Sequence, residues 1–150
     1  MNTWPKRVLF VCLGNACRSQ MAEAFARAYG SDVILPASAG LSPASAVAPD
    51  TLRAMAEKSL DLSGHFPKSL RQLERCQFDL GINLNYVPLP DGLGFPVREW
   101  SVPDPVFLTY EEHCDVRDQI ERLVMELIVE LRREKAIPPY RQSASSPPAR

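Results

Sequence analysis

Apolar residues bunch in short runs through the first hundred positions and then spread out at helical spacing. Arg7-Val8-Leu9-Phe10-Val11 is a run of β-formers without alternation, which suits a strand buried on both faces. The segment from Cys12 to Cys17 interrupts it. Ser19 to Tyr29, rich in Ala, Met, Gln and Glu, then reads as a helix stopped by Gly30. Asp32 to Ala37 reads as a second strand. After a Ser/Pro/Ala loop, Pro49 to Ser59 reads as a helix with Leu52, Met55, Ala56 and Ser59 on one face and proline in its first turn. Phe78 to Leu84 is a third strand and Val97 to Trp100 a fourth. Between them Tyr86 to Pro96 carries three prolines and two glycines and is loop. Thr109 and Glu112 form a capping box ahead of one long apolar stripe: Val116, Ile120, Leu123, Val124, Leu127, Ile128 and Leu131.

Strands alternating with helices predict an α/β fold with a parallel sheet covered on both faces. Ligands in such folds bind at the carboxyl ends of the strands. A chain of 150 residues suits one domain, placed at residues 1–135. Residues 136–150 turn to Pro, Ser, Ala and Arg without an apolar period and are expected to form a disordered tail. With 17 Lys+Arg against 18 Asp+Glu there is no basic excess to attract nucleic acid, although one local positive site can hide in a neutral total. No apolar run approaches the roughly 18–20 residues of a membrane span. The expectation is a cytoplasmic protein with neither a nucleic-acid nor a membrane partner. Four scattered cysteines (Cys12, Cys17, Cys76, Cys114) contain no Cys-x-x-Cys pair, so neither a disulfide scaffold nor a zinc site is indicated.

The candidate chemistry lies in the loop after the first strand, Cys12-Leu13-Gly14-Asn15-Ala16-Cys17-Arg18-Ser19. Cys12 follows a buried strand directly, and Arg18 comes six positions later where a helix begins. The intervening residues can curl so that backbone N–H groups form an anion nest, and the helix adds its open N–H groups and dipole. Arg18 supplies a planar fork matched to two oxygens of a phosphate-like group. The same field favours the thiolate of Cys12, and Ser19 is placed to donate a hydrogen bond to the sulfur. Gly14 and Asn15 suit tight or left-handed backbone. The segment from Leu13 to Ser19 is therefore the expected phosphate-binding loop and Cys12 the expected nucleophile. No Gly-x4-Gly-Lys-Ser/Thr and no Gly-x-Gly-x-x-Gly is present, so nucleotide binding has no support. Transfer from a monoester also needs a proton for the leaving oxygen. Asp104, between Pro103 and Pro105 beyond the fourth strand, is the candidate acid.

Val11 to Ser19 resembles the signature of the low-molecular-weight protein tyrosine phosphatases and of the thiol-dependent arsenate reductases that share their fold. Ser38-Ala39-Gly40 and Asp104-Pro105 match the same pattern in order, and the resemblance spans roughly Arg7 to Arg133. It implies a three-layer fold with a four-stranded parallel sheet in order 2-1-3-4, flanked by helices. It also implies Cys12 as nucleophile, Arg18 as phosphate clamp and Asp104 as acid and then base, with Ser19 and Asn15 supporting the loop. Hydrolysis in this family goes through a cysteinyl-phosphate without a metal or cofactor. A cysteine at the position of Cys17 forms a reversible disulfide with the nucleophile in several such phosphatases. Two readings of Cys17 thus stay open, a redox partner or a small buried residue.

Two branches remain. Gln20-Met21-Ala22-Glu23, Val47-Ala48-Pro49 before Met55, and Glu99-Trp100 resemble the reductases, and Leu41 to Ala48 lacks the aromatic wall of many phosphotyrosine-specific members. Yet the reductases relay electrons through two further cysteines just after the third strand, where this chain has Asn83-Leu84-Asn85-Tyr86-Val87. The leading expectation is a phosphomonoester hydrolase acting on a phosphorylated protein or small aryl phosphate. The alternative is an arsenate reductase that uses an external thiol. Those reductases also hold potassium; Asn15, Glu23 and Ser38 stand at matching positions, but Lys68 replaces an acidic ligand and no ion is expected. His65 is expected to organise hydrogen bonds, and His113, in the first turn of the last helix, to be solvated.

Overall fold

The computed structural model describes residues 3–138 and 140. Its elements are β1 (Lys6–Cys12), α1 (Arg18–Tyr29), β2 (Ile34–Gly40), α2 (Pro49–Ala56), β3 (Leu80–Asn83), β4 (Val97–Glu99) and α3 (Tyr110–Ala136), with short 3-10 turns at Leu70–Leu73 and Pro105–Phe107. Of the tail expected over residues 136–150, residues 139 and 141–150 lie outside the described residues, and α3 itself continues to Ala136.

The four strands form one sheet in the order β2-β1-β3-β4, and every pairing is parallel. The register puts Cys12 beside Gly40, Val11 beside Asn83, and Asn83 beside Glu99. The carboxyl ends of all four strands therefore open on one edge, where the loops that carry Cys12 and Asp104 begin. Buried on both faces, β1 needs no alternation, and its Val8-to-Cys12 stretch is buried throughout.

Those two faces meet unequal layers. Val8, Phe10 and Cys12 face a large core with Met21 and Phe25 of α1, Met55 of α2, and Val116, Ile120, Val124, Leu127, Ile128 and Leu131 of α3. Leu9 and Val11 face a smaller one, closed by Leu70 and Leu73 of a 3-10 turn and by the loop residues Leu89 and Phe95. The capping box of α3 is present as expected: the Thr109 hydroxyl accepts from the Glu112 N–H, and Glu112 reaches back to the Thr109 N–H.

Two details differ from the sequence expectation. The buried face of α2 is Thr51, Ala54 and Met55, because Thr51 bonds to His113 and the Ala54 carbonyl accepts from Arg117. His113 is 1% exposed rather than solvated, inserted between α2 and the loop before α3. Among the described residues no helix is long and apolar enough to cross a membrane.

Candidate active site

The chain leaves β1 at Cys12 and turns back under the start of α1. Its carbonyls face away from the turn. The Cys12, Leu13 and Gly14 carbonyls accept from the N–H groups of Leu41, Ser42 and Ala44 at 3.1, 2.8 and 2.9 Å, and the Ala16 carbonyl accepts from Ala48 at 3.0 Å. The segment after β2 thus fastens the outer side of the loop along its length. Among the described residues no hydrogen bond is donated by the N–H groups of residues 13–17, and no side chain caps α1. An anion nest continuous with a helix N-terminus results.

Two residues make so tight a turn possible. Asn15 is held at φ 50°, in the left-handed region that asparagine tolerates. Gly40 lies so close beneath the loop that a Cβ there would sit 2.8 Å from the Leu13 carbonyl oxygen and 2.9 Å from the Asn15 nitrogen.

The polar side chains under the loop form one network. The Cys12 Sγ and Ser19 Oγ are 2.9 Å apart, and Asn15 Nδ2 donates to Ser19 Oγ at 2.7 Å. That donation leaves the Ser19 proton free to point at sulfur, the direction that suits a thiolate. Asn15 Oδ1 accepts from the Lys68 N–H and from Gln20 Nε2, and Gln20 Oε1 meets His65 Nδ1 at 2.9 Å. Because an amide oxygen only accepts, His65 carries its proton on Nδ1. Burial holds the His65 pKa below its ordinary value, so it stays neutral in this role. Its expected part in organising hydrogen bonds is what the structure has; Gln20, noted in the sequence only for its likeness to the reductases, is the link to Asn15.

Arg18 is 2% exposed. Its Nη1 donates at 2.9 Å to both the Leu84 carbonyl past β3 and the Val102 carbonyl before the acid loop. Its Nη2 lies 3.5 Å from Asp104 Oδ2. Its Nε, also buried, has no hydrogen-bond partner. A guanidinium offers the Nε–H and one Nη2–H as parallel donors along a single edge; here the Nε–H has no protein partner and Nη2 has only its 3.5 Å contact with Asp104. A buried unsatisfied donor costs about 1–3 kcal/mol, more when charged, and a bound oxyanion removes that cost. Asp104 itself caps the turn Pro105–Phe107 by accepting from the Val106 N–H at 3.1 Å, which fixes one carboxylate oxygen and leaves the other toward Arg18. The structure thus brings Cys12, Arg18, Asp104 and the loop from Leu13 to Ser19 to one edge of the sheet.

The remaining thiols are placed differently. Cys17, the N-cap residue of α1, is buried among core residues, its pKa pushed up to about 11 by burial despite a hydrogen bond with Thr51. Cys76 is exposed and precedes the amino end of β3, at the opposite edge of the sheet from Cys12. Cys114 lies in the first turns of α3 beside Glu57.

The potassium ligands do not fit. Glu23 Oε1 already accepts from Ser38 Oγ at 2.5 Å and Oε2 from Arg27 at 2.7 Å, while Asn15 Oδ1 holds two N–H donors. Lys68, where an acidic ligand was expected, puts a second cation near Glu23. No cluster of metal-ligating side chains occurs among the described residues.

Comparison with known proteins agrees with this geometry. Residues 7–87 match the family of low molecular weight phosphotyrosine protein phosphatases. A glutaredoxin arsenate reductase of Synechocystis sp. is 32% identical over 134 residues, spanning 84% of this chain and 98% of the relative. A solved arsenate reductase in the phosphate binding state superposes with a TM-score of 0.74 at 33% identity, covering 84% of this chain and 98% of that one. A low molecular weight protein tyrosine phosphatase from T. tengcongensis superposes at 0.71 with 25% identity, covering 84% and 99%.

Proposed function

The chain belongs to the low molecular weight phosphotyrosine protein phosphatase family, and from that premise we propose that it is an arsenate reductase which passes its arsenic adduct to a thiol of another molecule. The observation that carries the oxyanion part is the buried Nε–H of Arg18, a charged donor without a protein partner on the residue that ends the loop begun at Cys12. Two points favour arsenate over an aryl ester. The curated relatives compared are arsenate reductases, and the segment bonded along the loop, residues 41–48, has no aromatic ring to stack on a phenol.

The loop N–H groups and the Nε/Nη2 edge of Arg18 hold three arsenate oxygens. The Cys12 thiolate, steadied by the Ser19 hydroxyl, attacks arsenic; Asp104 protonates the departing hydroxide, which leaves as water. An incoming thiolate then attacks the Cys12 sulfur. The sulfur–sulfur bond forms as the sulfur–arsenic bond breaks, and that electron pair reduces As(V) to As(III). A second external thiol resolves the mixed disulfide and frees Cys12, so two thiols become one disulfide for each arsenite. The donor is taken to be external because residues 83–87 hold no relay cysteine, Cys76 precedes β3 and Cys114 stands beside Glu57 in α3.

A second reading, hydrolysis of phosphate monoesters, is favoured by Asp104, whose capped and partly exposed carboxylate suits protonation of a leaving alkoxide or phenolate. One assay separates the two. Arsenite production is followed with glutathione, mycothiol, glutaredoxin or thioredoxin as donor, beside hydrolysis of p-nitrophenyl phosphate by wild type and Asp104→Ala. Arsenite formed with one of these thiols over feeble ester hydrolysis is the expected result. No arsenite with any donor, together with ester turnover that falls in Asp104→Ala, overturns the reductase reading in favour of the phosphatase.

A further inference from the structure

His113 has no part in the steps above, yet it is one of the most completely enclosed polar side chains in the molecule, at 1% exposure. It stands in the first turn of α3 with its own N–H bonded to the Thr109 carbonyl. Its Nε2 meets Thr51 Oγ1 of α2 at 2.9 Å, and its ring faces the carbonyl of Pro105, the residue after the candidate acid, which accepts from the Leu108 N–H at 3.0 Å. Thr51 is 0% exposed and lies in the first turn of α2, whose cap residue Ala48 donates its N–H to the Ala16 carbonyl of the oxyanion loop at 3.0 Å.

The proton directions follow from chemistry. The Pro105 carbonyl can only accept, so the ring proton sits on Nδ1. A neutral ring then has a lone pair on Nε2, which accepts from the Thr51 hydroxyl. The charged groups facing the ring are Asp50, Asp104 and Arg117, of both signs, and burial outweighs them in keeping it neutral. A phenylalanine would fill this space and make none of these bonds.

We propose that His113 is a positioning residue for the reaction: a crossbar that ties the first turn of α3, beside the acid turn, through Thr51 to the start of α2, which is itself fastened to the oxyanion loop, setting Asp104 against the cradle. The span matters because Asp104 has little else to fix it. Its carboxylate makes one backbone bond within its own turn and a 3.5 Å contact with Arg18, and the adjoining Val106 and Phe107 are 54% and 96% exposed. An acid displaced by about an ångström forfeits much of its contribution, which for proton transfer is of the order of 10²–10⁴ in rate.

The inference rests on the proposed role of Asp104, and two readouts keep the two apart. The first needs no turnover: hydrogen exchange of the Val106 N–H, which Asp104 accepts, in wild type and His113→Phe. The second is turnover of His113→Phe and Thr51→Val in an otherwise wild-type chain and in Asp104→Asn, with arsenate or p-nitrophenyl phosphate as substrate. The expected result is at least tenfold faster exchange at Val106 and roughly a tenfold or greater loss of kcat with KM changed less than about threefold. In the Asp104→Asn background that loss should vanish, and His113→Gln, which keeps one donor, should recover part of it. Unchanged exchange at Val106 overturns the crossbar. Faster exchange with an equal loss of kcat in the Asp104→Asn background overturns the link to the acid and leaves only a packing role. If wild type turns over neither substrate, the proposed function fails, and the exchange result alone decides whether His113 holds the loop.

Discussion

Replacing Gly40 by alanine tests whether the close approach of β2 to the loop shapes the site. The added methyl would sit 2.8 Å from the Leu13 oxygen, 2.9 Å from the Asn15 nitrogen and 3.0 Å from the Asn15 Cβ. The first two are backbone atoms, so no rotamer change relieves them. An ordinary carbon–oxygen contact is about 3.5 Å, which means that the loop or the end of β2 must move by roughly 0.5–0.7 Å. Overpacking of this kind costs about 1–3 kcal/mol, and each kcal/mol lowers Tm by roughly 2–4 °C at this chain length. The effect on activity should be larger. The displaced atoms belong to the nest, so a shift of this size is expected to lower kcat/KM for arsenate by about 10- to 100-fold. Gly30→Ala is the control: its methyl would meet Ile128 Cγ1 at 2.6 Å, in the core between α1 and α3 and far from the loop. It should lower Tm without weakening oxyanion affinity. The assays are thermal unfolding and phosphate or arsenate titration of both variants. If Gly40→Ala keeps wild-type affinity and kcat, the argument that β2 sets the curvature of the nest is refuted.

Other consequences are as direct. Arg18→Lys removes the open Nε–H and the fork, and each charge-assisted bond lost costs about 1.5–3 kcal/mol, so phosphate affinity measured by calorimetry should fall at least roughly tenfold. His65 and His113 both titrate below the ordinary 6.5 because burial opposes their charge. The unfolded chain therefore takes up protons first, and their contribution to stability is whole above pH 6.5 and declines as pH falls through it. Tm should drop between pH 7.5 and 5.5, with a shallower slope in His113→Phe; a flat wild-type profile counts against the buried neutral state. Exchanging KCl for NaCl at constant ionic strength should alter neither Tm nor rate, because Arg27 and Lys68 already face Glu23. A selective rise with potassium would show that the cation position is open after all.

What the sequence disclosed and what it hid divide along sequence distance. The strand before Cys12 and the helix after Arg18 are local patterns, and eight consecutive residues sufficed to foresee the cradle. Asp104 needed only its two prolines and its place beyond the fourth strand. Parallel order 2-1-3-4 came from resemblance, since periodicity does not tell which strands are neighbours. The contacts that fix the site are not local. Arg18 reaches carbonyls 66 and 84 residues away, and His113 meets Thr51 across 62 residues, so nothing in either neighbourhood announces them. One signal for His113 was there. Positions 113, 116, 120, 124, 127 and 131 keep the spacing of a single helical stripe, and all are buried, so the apolar face of α3 extends back through the histidine. An expectation of solvation weighed its polarity above its phase. The α2 face was displaced for a related reason: Thr51 is buried for its hydroxyl bond, which hydrophobic patterning does not count.

The four hydrogen bonds that tie the outer side of the oxyanion loop to residues 41–48 also constrain how this molecule can diversify. Cradle and wall form a double ribbon, so an insertion in one is transmitted to the other. A lineage that altered substrate choice by remodelling residues 41–48 would disturb its anion grip in the same step. The opposite rim is joined to the grip through Arg18, which bonds to the Leu84 and Val102 backbone carbonyls and touches Asp104, so its other side chains are not tied to the loop in this way. Tyr86, Val87, Val106 and Phe107 are exposed, on loops that follow β3 and the acid. Adaptation to new leaving groups or thiol donors is therefore expected to accumulate on that side, where side chains can change while the grip on the oxyanion stays as it is.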